Sequence, residues 1–213
     1  MPQIVQRSAA LGLLSLVLVS HPARADDATR ELLDEVRHSF TLDGKPIPPE
    51  IFRDIGDGNL ADSLPIRVTI DVKAAVGSNL YGDEITPAGP GWIAQRPADK
   101  ASLNGTDEYA YHYVGATANG LLVVLASANK GGSCTFVTLH ILDLAGAKAF
   151  TPEGQVYERI NVTALRDISL GDRWYGTARI AGNTIIVTTT RSGPTDDSGK
   201  APVMKVEAGR PQG

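Results

Sequence analysis

Between residues 66 and 73 the chain reads IRVTIDVK, so that Ile66, Val68, Ile70 and Val72 alternate with Arg67, Thr69, Asp71 and Lys73. A period of two places the apolar set on one side of an extended strand, against a core, and the polar set on the other, in water. Further strand patterns follow near Trp92 and over 108–115, 121–127, 134–142, 155–163, 173–181, 184–191 and 202–208, with short loops between them. One stretch carries the helical period instead. In DDATRELLDEVRHSF, Leu32, Leu33, Val36 and Phe40 share a face, and Asp26 or Asp27 offers an N-cap. Gly44, Pro46, Pro48 and Pro49 then predict an extended, rigid connection.

Two dipeptides predict tight hairpins: Asn119-Gly120 in VGATANGLLVV and Gly182-Asn183 in RWYGTARIAGNTIIVTTTR. The second sets Ile180 opposite Ile185 and Ala178 opposite Val187, with Arg191 placed to sit over the Trp174 indole. LLVVLA, residues 121–126, is apolar at every position, which fits a central strand covered on both faces, the N-terminal helix being one cover. Many short strands without β-α alternation give a mostly β fold class: an antiparallel β-sandwich, with a β-barrel as the alternative, and one short N-terminal α-helix. The expected organisation is a leader over 1–25, the helix and its Pro/Gly-rich connection over 26–64, and one antiparallel β domain over 65–213. No repeat of fixed period is present, which weighs against a propeller or solenoid.

The leader changes where this fold is expected to work. Arg7, an apolar run from Ala9 to Val19, and Ala23-Arg24-Ala25 follow the plan of a secretory signal peptide cleaved after Ala25. The apolar run is well short of the roughly 20 residues that cross a bilayer. A periplasmic or extracellular protein without a membrane span after cleavage is expected. The full chain carries a net charge of −4 and loses Arg7 and Arg24 on cleavage. An acidic chain without a basic cluster is a poor partner for nucleic acid or anionic lipid. A single cysteine excludes an internal disulfide, so the apolar core must hold the fold.

Candidate chemistry begins with that cysteine. On a straight strand Cys134 and His140 share a face, but their Cα atoms stand roughly 20 Å apart, too far for nucleophile and base. A two-residue turn at Asn119-Gly120 would pair His112 with Ser127, and a four-residue NKGG loop would pair Ser127 with Cys134. The row His112, Ser127, Cys134 is then a candidate catalytic site, with side chains about 5 Å apart. Val114, Leu125 and Phe136 on the same face favour core instead. Ser127 and Lys130 match S-x-x-K, yet on a strand and without K-T-G. No G-x-S-x-G, H-E-x-x-H, paired C-x-x-C or G-x-x-x-x-G-K-[ST] occurs, so hydrolase, zinc and nucleotide signatures are absent.

Tyr109, Tyr111 and Tyr113 line one strand face, either as a platform for a carbohydrate or peptide ligand or as a cover for the sheet. Asp54, Asp57, Asn59 and Asp62, and separately Asp196 and Asp197, form acidic loops without the EF-hand spacing, and turn chemistry explains them better than a metal. Asp172 in SLGDRWYG reads as a turn-shaping residue that accepts from Arg173 or the next backbone amides. No cofactor or metal is expected. The sequence thus favours an exported, non-catalytic binding or interaction protein of unknown protein, peptide or carbohydrate ligand, over a small hydrolase with a Ser or Cys nucleophile and a His base.

Overall fold

The apolar run at 121–126 forms the middle of the protein. The computed structural model describes residues 23–57, 67–77, 81, 84–95, 107–130, 132–190 and 202–210. In chain order they form α1 (Ala23–Ser39), β1 (Thr41–Leu42), β2 (Lys45–Pro46), α2 (Ile51–Asp57), β3 (Thr69–Asp71), α3 (Val72–Gly77), β4 (Ile85–Gly89) and β5 (Trp92–Gln95). Then come β6 (Asp107–Ala116), β7 (Leu122–Lys130), β8 (Phe136–Phe150), β9 (Val156–Asp172), β10 (Gly176–Ala181), β11 (Thr184–Thr189) and β12 (Val203–Glu207). A seven-stranded antiparallel sheet runs β3-β9-β8-β7-β6-β5-β4, and a three-stranded sheet runs β10-β11-β12. Both sheets are open, so the sandwich and not the barrel is the architecture.

Each face of β7 has its own core. Leu122, Val124 and Ala126 meet α1, α2, α3 and the β1–β2 hairpin, while Leu121, Val123 and Leu125 meet Ile185, Val187 and Val206 of the small sheet. Full burial of such side chains contributes roughly 1.5–3 kcal/mol each. Double coverage is therefore why no polar residue interrupts the run.

The helical layer is richer than the single expected helix. The α1 backbone starts at Ala23, ahead of the expected cap, so Asp27 lies inside the helix, 3.1 Å from Arg30. The helix ends where the Phe40 amide donates to the Val36 carbonyl at 2.9 Å, with Phe40 itself at φ 55. That is the left-handed helix cap usually given to glycine. Its ring is fully buried, with centroids of Phe52, Tyr111 and Tyr113 at 6.2, 5.1 and 5.4 Å.

The expected rigid connection is instead a hairpin. Asp43 (φ 52) and Gly44 (φ 71) make a two-residue turn with both angles positive. The Glu35 carboxylate accepts from the Asp43 and Gly44 amides at 3.0 and 2.8 Å and from the Thr41 hydroxyl at 2.8 Å. These bonds, the Gly44 amide foremost, hold its carboxyl below the usual range. Pro48 and Pro49 then seat the first turn of α2, where fixed φ and a missing N–H do no harm.

The strand expected over 66–73 is shorter. Ile66 lies outside the described residues; Val68, Ile70 and Val72 all pack on the helix-side core, as their alternation implies. Asp71 ends the strand: its carboxylate accepts from the Lys73 and Ala74 amides at 3.1 and 3.3 Å and so caps α3.

The Gly182-Asn183 hairpin has the expected register, Ile180 opposite Ile185 and Ala178 opposite Val187. Arg191 lies outside the described residues, and the Trp174 indole N–H donates to the Thr189 hydroxyl at 2.9 Å. The Asn119-Gly120 hairpin differs. Thr117 donates to the Leu121 carbonyl at 2.8 Å across a three-residue loop, with Gly120 at φ 83. A bulge between Tyr113 and Gly115 then shifts the ladder again.

Finally, β8 and β9 are 15 and 17 residues long and pair to their ends, Phe150 opposite Val156. α1 crosses this ribbon at Gly146, where a Cβ would stand 3.0 Å from the Thr29 methyl. Beyond the crossing, Phe150 and Val156 are 70% and 59% exposed.

Candidate functional site

Along the helix-side face of β7 the side chains shrink: Leu122 and Val124 are followed by Ala126 and Ala128. Their cross-strand partners on β8 are Thr138 and Phe136, and on β6 Tyr111 and Tyr109. Two alanines among large neighbours leave the sheet uncovered past the start of α2. A cavity of about 440 Å³ opens there. Ala126 and Ala128 form its floor, Phe52 and Arg53 of α2 one wall, and Tyr109, Phe136, Thr138 and His140 the sides. Gly132 and Cys134 complete the rim.

His140 is the most constrained polar group at this cavity. It is 2% exposed, and its Nδ1 lies 2.7 Å from a carboxylate oxygen of Asp167, its direct partner on β9. Its ring centroid is 5.0 Å from that of Phe52. A carboxylate only accepts, so Nδ1 carries the proton, and in the neutral imidazole Nε2 is an acceptor.

Arg53 brings a cation that is already engaged. Its guanidinium pairs with Glu50 through Nη1 and with Asp54 through Nε at 3.2 Å. The Tyr81 hydroxyl donates to the other Asp54 oxygen at 2.8 Å. Burial, reinforced by that hydrogen bond, holds the Tyr81 phenol well above its usual range.

The rim is tied down by the corner after β9. The Thr135 amide donates to the Asp172 carboxylate at 2.8 Å. Arg173, at φ 46, donates from Nη2 to the Ser133 carbonyl at 2.8 Å and from its amide to the Thr135 carbonyl at 2.8 Å. Asp172, expected to shape its own turn, lies 3.7 Å from Arg173 Nε and bonds across to the loop that holds Cys134.

The expected row of His112, Ser127 and Cys134 does not form. His112 pairs with Leu125, because the longer turn and the bulge move the ladder by two residues. Ser127 pairs with Ala110 and Val137 and lies, like Cys134, in the lining of the cavity. β7 runs on to Lys130, which pairs with Asp107 on β6, and β8 starts only at Phe136, so the NKGG stretch closes no tight hairpin onto Cys134. The His112 ring instead lies 5.8 Å from Trp92, with Nδ1 2.9 Å from the Gly91 carbonyl. Cys134 is exposed and lies before the strand, so the straight-strand argument that parted it from His140 loses its premise. The two line one cavity, with no hydrogen bond between them.

Of the tyrosine face, only Tyr109 reaches the cavity. Tyr111 and Tyr113 lie beneath Phe40, and the Tyr113 hydroxyl donates to the Arg37 carbonyl. They are core, not a ligand platform. Burial raises both phenols above their usual range. Asp54 serves Arg53 and Tyr81, while Asn59, Asp62, Asp196 and Asp197 lie outside the described residues. Among the described residues no three His, Cys, Asp or Glu side chains gather as a metal site, and no helix is long and apolar enough to cross a membrane.

Phe52, Arg53, Phe136, Thr138 and Asp167 are absent from the sequence-based candidates. The one local signal was the small pair Ala126-x-Ala128 at the end of an otherwise bulky strand. The chain matches no protein-family model, and no curated protein or solved structure is detectably similar to it.

Proposed function

We propose that the chain is an exported, non-catalytic binding protein that takes a small, largely apolar ligand into the cavity beside α2. The carrying observation is the cavity itself, about 440 Å³ with aromatic walls, an alanine floor and a few convergent polar groups. That size and lining are typical of small-molecule sites. Support for export comes from the leader pattern of residues 1–25, and N-terminal sequencing of the exported chain reads it directly, with Asp26 as the expected first residue.

The hydrolase alternative has one observation in its favour: Ser127 and Cys134 both line the cavity with His140, which Asp167 orients. Against it, a nucleophile is activated through a hydrogen bond to its base, and none joins Ser127 or Cys134 to His140.

Titration with the neutral fluorophore N-phenyl-1-naphthylamine tests the reading. Saturable one-to-one binding is expected, and Ala128→Trp, which fills the floor, should weaken it at least tenfold while leaving the unfolding midpoint within experimental error. Undiminished binding by a folded Ala128→Trp protein would place the ligand elsewhere and remove the proposal.

A further inference from the structure

We infer that the ligand is an uncharged planar molecule carrying one hydrogen-bond donor, a phenol-type hydroxyl or a ring N–H, which it presents to Nε2 of His140. This rests on the cavity being the binding site and specifies what enters it. Three features of the site carry the inference.

First, His140 is nearly fully buried and lines the cavity, yet only its Nδ1 is used, by Asp167. Among the described residues nothing partners Nε2. A buried acceptor left dry is unfavourable, so the site rewards any occupant that donates to it. With Nδ1 donating to the carboxylate, Nε2 is the acceptor whenever the imidazole is neutral, and it then selects a donor over an acceptor.

Second, the lining is largely aromatic. The Phe52 and His140 rings pack on each other at 5.0 Å and an interplanar angle of 35°, and Tyr109 and Phe136 also line the cavity, over an alanine floor that adds no branch. A ring laid against such a surface makes favourable face and edge contacts.

Third, the cation at the cavity is engaged. Among the described lining residues the cationic side chain is Arg53, and its guanidinium pairs with Glu50 and Asp54. A carboxylate ligand would have to compete with both for it.

Three probes with one ring system separate these effects: 2-naphthol, naphthalene and 2-naphthoate, each displacing the fluorophore from the full chain at pH 8. The expected order is 2-naphthol tightest, about tenfold above naphthalene, as one hydrogen bond to a buried acceptor supplies, with 2-naphthoate weakest. In the wild-type protein labelled with 15N-histidine, the Nε2 resonance of His140 should move with 2-naphthol and stay with naphthalene. His140→Phe, which keeps a ring against Phe52, should bring 2-naphthol and naphthalene within about twofold; the wild-type nitrogen signal decides the matter if that variant does not fold.

Equal binding of 2-naphthol and naphthalene, a 2-naphthol preference with an unmoved Nε2 resonance, or tightest binding by 2-naphthoate would each overturn the inference while leaving the cavity as the site. Failure of every probe, the fluorophore included, would overturn the cavity reading along with it.

Discussion

Phe40→Ala should lower folding stability by about 3–5 kcal/mol, the range for removing a buried aromatic ring. Phe40 stands just past α1, is fully buried, and touches Phe52, Tyr111 and Tyr113. It therefore joins α1, α2 and the central sheet at one point. The loss is chiefly a cavity effect, since Phe52 is held by α2 and both tyrosines by the rigid β6 strand, and they collapse poorly onto the gap. Backbone conformation supplies a control. At φ 55 a glycine is less strained than any other residue, so Phe40→Gly should be no less stable than Phe40→Ala although it removes one more carbon. Urea midpoints of the three proteins measure both effects. A loss below about 1 kcal/mol for Phe40→Ala would mean that the ring is not packed as described.

Above about pH 10 the protein should lose stability steeply. Burial raises the phenols of Tyr111 and Tyr113, and burial together with the bond to Asp54 raises that of Tyr81. For an acid whose folded pKa lies above its unfolded value, the folded state holds the proton longer. The contribution is therefore complete below the unfolded phenol pKa of about 10 and is lost as pH rises towards the folded values. Each unit of difference is worth about 1.4 kcal/mol for a fully buried group. Tyr111 dominates, while Tyr81 and Tyr113, partly reached by water, add less. Tyrosine ionisation, followed by the absorbance of all the phenolates, should show a late step that is lost in Tyr111→Phe and coincides with the loss of far-ultraviolet circular dichroism, and Tyr111→Phe should flatten the alkaline limb of the stability curve. Stability that stays constant from pH 9 to 12 would contradict the burial of these rings.

How much of this was legible before the structure depends on the range of the signal. Alternation and the two-faced run at 121–126 placed the central strand and foretold cover on both sides, because burial writes itself into every position of a strand. The Gly182-Asn183 turn fixed its own register, since turn and ladder are adjacent in the chain. The hairpin at Asn119-Gly120 shows the limit: one extra loop residue and a bulge at Val114 displaced His112 from Ser127, and neither event alters the local hydrophobic pattern. α2 and α3, at 7 and 6 residues, are too short to show a helical period. Asp71 looked like one more outward-facing residue of a strand because its capping role appears only once α3 starts at Val72.

The site was the least visible part for the same reason. It needs α2, which had no signature, above Ala126 and Ala128. It also needs His140 opposite Asp167, a pairing set by a β8–β9 ladder with register shifts at Val137/Thr138 and Ile141/Leu142. No spacing rule along the chain encodes two such shifts.

Backbone amide shift mapping of the full chain, titrated with the neutral fluorophore, tests the central claim most directly. Perturbations should concentrate at Phe52 and Arg53, at Tyr109, and over 126–128 and 132–140, the elements that enclose the cavity. Shifts gathered instead around Trp92 and Trp174 against the small sheet, or at Phe150 and Val156 on the ribbon tip, with the 126–140 segment silent, would contradict it.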